Sequence, residues 1–474
     1  MDIDKLRQRA LSTPRFDRML ADYAAAEHDR FLAKEARDNA SRGSKRLGEN
    51  TQEWLTVYWY ATLVLAREGD FEAYMLYLEK NRKPAERFYM PRRAQLQPAV
   101  KVIQDLLDDR LDEGYISMPP RVGKTTLLMF LLTYVIALRP DSSNLYSAFS
   151  DFITNAMYAG VLEVIRDPTT YAWQEIFPQA KIAFTNAKDE TLDIERSKRY
   201  HSLTTRSLYG TLNGACDCNG FLIADDLLSG VEEALNPDRL SKAWILTDNN
   251  LLARCKQGAK KLFVGTRWAT KDPAGIRMSM LDENTDFRNL RWESINMPAL
   301  NEKDESNFDY KFGVGFNTDF YKQRRASFES VGDEASWLAQ YMGQPIDRIG
   351  TLIQPEDIRT YNGELPEIEP DAILEACDVA WGGGDYLCSM VGYVYGSEVY
   401  IPSILFTKAD KYVTRPRVAD QIEKFGVRRA QFEKNNGGDE FREWVSNKLA
   451  SCDHHSIIMR KADPMNVGKE QHIL

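Results

Sequence analysis

The stretch Tyr115-Ile116-Ser117-Met118-Pro119-Pro120-Arg121-Val122-Gly123-Lys124-Thr125-Thr126 runs straight into the apolar segment Leu127 to Leu138. It reads as a buried strand, a tight loop and a helix, with Gly123-Lys124-Thr125 at the point where loop becomes helix. Backbone N–H groups at a helix N-terminus point at an anion, a lysine there reaches the β and γ phosphates of a nucleotide, and a threonine hydroxyl takes a place on Mg²⁺. Met118 stands where such loops usually carry a glycine, and Pro119 and Pro120 have no N–H to offer. The cradle is therefore expected from Arg121 onward, through Val122, Gly123, Lys124, Thr125 and Thr126. The two prolines stiffen its approach, and Arg121 leans over the phosphates.

At 474 residues the chain exceeds one ordinary domain. A hydrophobic content of 43% with 28% charged residues describes a soluble globular protein with ample core. The longest apolar run, Leu127 to Leu138, is too short to span a membrane, and the charged start Met1-Asp2-Ile3-Asp4-Lys5 has no signal-peptide core. Six scattered cysteines without a CxxC pair point to reduced thiols in a cytoplasm. Cys216-Asp217-Cys218 has no second ligand pair near it in sequence and reads as structural, and five histidines argue against a zinc enzyme. A net charge of −9 disfavours sequence-independent coating of DNA but is compatible with an enzyme that grips DNA through local basic patches.

Residues 1–90 read as a helical region, with Leu6 to Ala26 and Thr51 to Glu79 carrying apolar residues at helical spacing and Lys34 to Glu49 a polar linker between them. The aromatic run Trp54, Tyr58, Trp59, Tyr60 is expected in the core of a helical hairpin in preference to a docking surface. A helix from about Pro98 to Asp109 leads into the phosphate loop, and Gln95 just before it is a candidate reader of an adenine edge. From there to residue 345 strands alternate with helices: Asn144 to Phe149, Phe152 to Ile165, Lys181 to Thr185, Gly220 to Ala224, Asp238 to Arg254, and Lys261 to Gly265. Such alternation predicts an α/β fold with a mostly parallel sheet covered on both faces. Asp319 to Met342 is helical again, and a linker is expected over residues 346–365. Beyond it, Ile373 to Val379, Cys388 to Tyr395 and Glu398 to Phe406 read as a meander opening a further domain, 366–474.

Asp225-Asp226 ends the apolar strand beginning at Gly220 and supplies what the phosphate loop lacks. An ATPase needs one carboxylate, at the end of an adjacent strand, to hold Mg²⁺ through water and a second to polarise the attacking water. Asp225 suits the first task and Asp226 the second. Positive charge at the transition state falls to Arg121, or to one of Arg139, Arg196, Arg199 and Arg206 of this or a neighbouring subunit. Leu262-Phe263-Val264-Gly265-Thr266-Arg267-Trp268 is a third strand ending in a hydroxyl, which makes Thr266 the candidate sensor of the γ-phosphate, while Arg267 and Trp268 serve it or pack.

The order Met-Pro-Pro-Arg-Val-Gly-Lys-Thr, then Phe-Leu-Ile-Ala-Asp-Asp, then Val-Gly-Thr-Arg-Trp, then Gln340-Tyr341-Met342-Gly343-Gln344-Pro345 resembles the large terminase subunit of tailed bacteriophages, from about Arg92 to the C-terminus. The resemblance implies an ASCE-type P-loop ATPase (residues 91–345) that uses ATP with Mg²⁺ to pump double-stranded DNA into a procapsid, followed by an RNase H-like nuclease that cuts the concatemer with Mg²⁺ or Mn²⁺. It also implies a small terminase subunit and a portal protein as partners, a homo-oligomeric ring when assembled, no membrane, and work in the host cytoplasm. By resemblance Lys124, Thr125, Asp225, Asp226 and Thr266 take the nucleotide, metal, base and coupling roles.

Two-metal phosphodiester hydrolysis needs carboxylates converging from neighbouring strands. Cys377-Asp378-Val379-Ala380-Trp381-Gly382-Gly383-Gly384-Asp385 places one acid near a strand end and another after a glycine turn, and Phe432-Glu433 puts a third at the end of a short strand from Arg429. The resemblance matches Asp378 and Glu433 to the first two metal-binding acids, with Asp385 a helper. Its third aspartate follows a Lys-Glu-x-x-Ile segment, here Lys469-Glu470-Gln471-His472-Ile473, so that ligand is expected beyond residue 474. Asp453 and Asp463 are poor substitutes, since neither ends an apolar strand in the sequence pattern. Basic clusters for DNA are sparse: Lys256, Lys260 and Lys261, then Arg415, Arg417, Arg428 and Arg429. The rival readings are a helicase-like or remodelling ATPase with an inert C-terminal domain, a non-enzymatic adaptor keeping a degenerate nucleotide site, and a small-molecule kinase, for which the C-terminal acids have no use.

Overall fold

The structure is a computed structural model that describes residues 13–45, 51–212, 216–345, 359–380, 386–432 and 438–451, and the backbone of 458–461. The chain divides into two compact units, Met1–Ile349 and Gly350–Leu474. No described helix is long and apolar enough to cross a membrane.

The first unit begins with helices α1 (Pro14–Ala26), α2 (Arg30–Ser44), α3 (Thr51–Arg67), α4 (Phe71–Leu78) and α5 (Tyr89–Leu107). Helix α2 corrects the linker expected over Lys34 to Glu49. Its buried stripe is Leu32, Ala33, Ala36, Ala40 and Gly43, too small to register as a hydrophobic pattern, and Asp29 caps it by accepting from the N–H groups of Phe31 and Leu32. Gly43 has no room for a side chain, because a Cβ there would lie 2.4 Å from the ring of Trp54. Trp54 is buried and Tyr58, Trp59 and Tyr60 are half-buried, which sends the aromatic run into helix packing. Helix α5 starts at Tyr89, well before Pro98. Its cap is not local: the Glu79 carboxylate accepts from the backbone N–H of Phe88 and Tyr89 at 2.8–3.0 Å.

Then follow β1 (Glu113–Ser117), α6 (Lys124–Leu138), β2 (Asn144–Ala148), α7 (Asp151–Arg166), β3 (Ile182–Asn186), β4 (Thr191–Ile194), β5 (Leu203–Ser207), β6 (Phe221–Asp225), α8 (Pro237–Leu246), β7 (Lys260–Gly265), α9 (Pro273–Glu283), β8 (Trp292–Asn296), α10 (Thr318–Glu329) and α11 (Glu334–Met342). They build an eight-stranded sheet in the order β3-β4-β5-β2-β6-β7-β1-β8. Strands β5 through β8 in that order run parallel, and β3 and β4 are antiparallel additions. This is the mixed α/β fold with a mostly parallel sheet that the alternation predicts. Strands β4 and β5 arise between Glu190 and Ser207, where Asp193, Glu195, Arg196, Lys198 and Arg199 interrupt any apolar run. There Asp193 is fully buried and accepts from the N–H groups of Lys198 and Ser202, so its charge serves the turn between the two strands.

One expectation about the sheet is corrected. Strand β6, which ends in Asp225, does not neighbour β1, because β7 pairs with both and lies between them. The helices α3 to α5 share one hydrophobic core with α6: the rings of Tyr74 and Tyr134 stack at 4.4 Å, and the Tyr134 hydroxyl donates to the carbonyl of Ala66 at 2.8 Å.

The second unit contains β9 (Ala372–Asp378), β10 (Leu387–Tyr395), β11 (Glu398–Thr407), α12 (Lys411–Lys424), β12 (Arg429–Phe432), α13 (Gly438–Ala450) and β13 (Ile458–Lys461). Its five strands take the order β11-β10-β9-β12-β13. The expected meander is antiparallel, while β12 joins β9 and β13 joins β12 in parallel. Val418 and Ile422 of α12 and Phe441 and Val445 of α13 form one core with Cys377, Leu387 and Phe432. Trp54→Ala is expected to cost the first unit about 3 kcal/mol, since it empties the space over Gly43. Chemical denaturation followed by far-ultraviolet circular dichroism measures it, and an unchanged midpoint contradicts the α2–α3 packing.

Candidate functional site

The phosphate-loop segment is held in shape by its neighbours. Gly123 sits at φ 111°, a left-handed conformation that favours glycine, as the residue before α6. A Cβ at that position would also fall 2.7 Å from the ring of Phe88. Arg121 has φ 64°. The Tyr310 hydroxyl donates to the Val122 carbonyl at 3.0 Å, pinning the loop from the far side of the sequence. Pro119 and Pro120 precede this turn, and the N-terminus of α6 opens at Lys124, Thr125 and Thr126.

Lys124 is buried, and its ammonium donates to the Met118 carbonyl at 3.2 Å and to Thr266 Oγ1 at 3.0 Å and lies 3.2 Å from Asp226 Oδ2. Asp226 in turn accepts from the Thr266 N–H at 2.7 Å. A φ of 41° at Asp226 turns the chain after β6, so both acids of the pair face the same loop. Asp225 Oδ2 accepts from Thr125 Oγ1 at 3.2 Å and from the Tyr146 hydroxyl at 2.8 Å. Asp225 Oδ1 is buried and has no hydrogen-bond partner among the described residues. Burial first, and the neighbouring Asp226 second, push the Asp225 carboxyl up to about 7.

A carboxylate oxygen without a partner, beside a threonine hydroxyl at a helix N-terminus, fits a hard divalent cation. Asp225 and Thr125 are the residues that would hold it. The intervening strand β7 explains how the pair reaches the loop from two strands away: its end delivers Thr266 into the gap between Lys124 and Asp226. Arg121, Lys124, Thr125, Asp226, Thr266 and Trp268 line one open cavity of about 490 Å³.

The other candidates fall in different places. Arg139 closes the opposite end of α6 by donating to the Leu107 carbonyl at 2.7 Å. Arg196 pairs with Asp141, Arg206 lies 3.6 Å from Asp189, and Arg199 stacks over Tyr200. Of these arginines Arg121 is the one that lines the cavity. Arg267 is engaged by Asp272, its Nε donating at 2.8 Å. Gln95 donates its amide to the Asp309 carbonyl at 3.5 Å, next to the segment whose Tyr310 pins the loop. Sequence reasoning missed Tyr146, Phe88 and Tyr310, since no spacing rule ties an aromatic residue to a carboxylate or loop so distant in the chain. Cys218 lies beside Cys255 in a parallel bridge. Among the described residues no group of three or more His, Cys, Asp or Glu side chains is placed to hold a metal.

In the second unit Asp378 closes β9 and is exposed, on the face opposite the helices. Asp385, Glu433, Asp453 and Asp463 lie outside the described residues. Strand β13 (Ile458–Lys461) ends in Arg460 and Lys461, two residues before Asp463. Glu375, unforeseen, is buried on the helix-covered face and accepts from the Ser389 hydroxyl, and burial pushes its carboxyl up to about 7.

No family model matches the sequence, and no curated protein does. Solved structures similar to this chain are consistently large terminases and packaging motors of phages, at low identity and modest superposition. The large terminase of bacteriophage HK97 covers 77% of this chain and 80% of its own, at 11% identity and a TM-score of 0.39. The ATPase domain of the Thermus phage P74-26 large terminase covers 51% of this chain and 92% of its own, at 13% identity and a TM-score of 0.31. The Phi-28 gp11 DNA packaging motor covers 76% and 93%, at 10% identity and a TM-score of 0.27.

The raised carboxyl of Asp225 has a signed consequence. The folded chain keeps a proton that the unfolded chain releases between about pH 4 and 7, so this site favours folding most at low pH and disfavours it as pH rises through that window. Asp225→Asn is therefore expected to stabilise the ligand-free protein by about 1–3 kcal/mol at pH 7 and by less at pH 5. Thermal melts at the two pH values check this, and a variant no more stable than wild type at pH 7 contradicts it.

Proposed function

We propose that this chain is a viral DNA-packaging motor subunit, an ATPase whose hydrolysis of ATP moves double-stranded DNA into a procapsid. The observation that carries the reading is the meeting of Lys124, Thr125, Asp226 and Thr266 at one cavity, with Asp225 hydrogen-bonded to Thr125 behind its wall. In it the N–H groups from Arg121 to Thr126 cradle the phosphates, and the Lys124 ammonium neutralises them. Asp226 orients the attacking water and takes its proton. Thr266, touching both Lys124 and Asp226, reports the γ-phosphate to the sheet. Arg121 supplies charge at the transition state from the cavity wall. A magnesium ion, held by Thr125 and Asp225, screens the phosphate oxygens when bound. Gln95 belongs to the base-binding side of this site.

The proposal divides the chain into a helical region through residue 90, a motor domain over 91–345, a linker over 346–365 and a nuclease domain over 366–474. A meander followed by two parallel strands supports an RNase H-like nuclease, with Asp378 at the end of the central strand β9. In that reading Asp378 and Glu433 are the metal-binding acids, with Asp385 beside them, and Mg²⁺ or Mn²⁺ the ion. Among the described residues Asp378 is the one of these acids in place, so no step of cleavage is derived. The small terminase subunit, the portal and sister subunits in a ring complete the proposed assembly, in the host cytoplasm.

Lys124→Ala is expected to lower ATP turnover by at least about 100-fold and to abolish nucleotide-dependent fluorescence change at Trp268. Retained turnover sinks the motor reading. Supercoiled plasmid with Mn²⁺ tests the nuclease separately: wild type cuts and Asp378→Ala does not, whereas equal cutting by both, or by neither, removes the second site and leaves a helicase-like ATPase.

A further inference from the structure

Asp225 sits where two oxygens of one carboxylate have different surroundings. Oδ2 takes both available donors, Tyr146 Oη at 2.8 Å and Thr125 Oγ1 at 3.2 Å, while Oδ1 is buried and has no hydrogen-bond partner among the described residues. Tyr146 comes from β2, which pairs in parallel with β6 so that Ala148 stands opposite Asp225. Its ring is wholly buried, so no water can take the place of its hydroxyl. A carboxylate swings about its terminal bond, and a hydrogen bond to one oxygen fixes the plane in which the other lies. Thr125 alone cannot stop that swing, because its hydroxyl is the group called away to the cation in a phosphate-binding loop.

We infer that Tyr146 is a positioning residue for the nucleotide-bound divalent cation, holding the plane of the Asp225 carboxylate that would meet it beside Thr125. The inference rests on the ATPase reading and adds to it a residue outside every motif of the loop and the acid pair. The hydroxyl stays a donor at all working pH values, since burial first, and then Asp225, push its ionisation well up. Tyr146 touches neither nucleotide nor water, and its part is to fix which way another side chain faces.

The test uses the full chain, ADP and Mn²⁺, with free Mn²⁺ counted by electron paramagnetic resonance. Tyr146→Phe keeps the buried ring and removes the clamp. Tyr158→Phe, which loses a hydroxyl bonded to the Thr191 carbonyl at 3.2 Å, controls for loss of a buried phenol far from the acids. The expected result is about a tenfold weaker Mn²⁺ affinity of the ADP complex in Tyr146→Phe, with ADP affinity in EDTA within twofold of wild type and no change in Tyr158→Phe. The divalent-ion concentration for half-maximal turnover should rise by the same factor, with KM for the nucleotide–metal complex nearly unmoved. Unchanged Mn²⁺ affinity in a folded Tyr146→Phe overturns the inference alone, and so does a loss matched by Tyr158→Phe. Failure of the wild type to bind ADP and Mn²⁺ together overturns the ATPase reading beneath it.

Discussion

The first unit holds one buried ammonium between a buried carboxylate, Asp225, and a half-buried one, Asp226, at the mouth of an open cavity. Charges in a buried site are costly unless each finds partners, and Lys124, Asp225 and Asp226 find most of theirs in one another and in the hydroxyls of Thr125, Tyr146 and Thr266. The compensation stops short of complete. One oxygen of Asp225 has no hydrogen-bond partner among the described residues, and its carboxyl is pushed well above the ordinary range. The unpartnered oxygen is where a cation would complete the compensation.

The sheet order is what makes this geometry possible. If β6 lay directly against β1, the acids would stand beside the loop with no space for a third group. With β7 inserted, the carboxylates reach across a strand end, and Thr266 flanks the direct Lys124–Asp226 pair, bonded to both. The same strand leads through Arg267 into the Asp272 cap of α9, whose side chain also accepts from the Gly275 N–H at 2.7 Å. Thr266 is thus continuous with a helix start held by a buried ion pair. A change of contact at Thr266 has a stiff path into the fold.

The parts of this fold written in large apolar residues were legible. Strands β1, β2, β6 and β7 and the meander β9 to β11 each show as apolar runs, and the loop stands out because the acid pair Asp225-Asp226 and the strand ending in Thr266 follow it in order. What escaped was whatever is stabilised from a distance. Helix α2 hides because its buried face is mostly alanine, α5 because its cap is Glu79, and β4 and β5 because Asp193 spends its charge inside a turn. Tyr146 escaped for the same reason, since alternation on β2 gives the face of its ring but not the carboxylate it meets. The insertion of β7 could not be read at all, because strand order is settled by three-dimensional packing.

The stacking of Tyr74 on Tyr134 carries one more implication. Helix α6 starts at the phosphate loop and ends against the helices that open the chain, with Arg139 hooked to the last turn of α5. Those opening helices are therefore ballast for the sheet domain and no detachable appendage. Trimming the chain back to residue 91 would bare the flank of α6 along Phe130, Tyr134 and Ala137, and any minimal fragment meant to hydrolyse nucleotide has to bring that ballast with it.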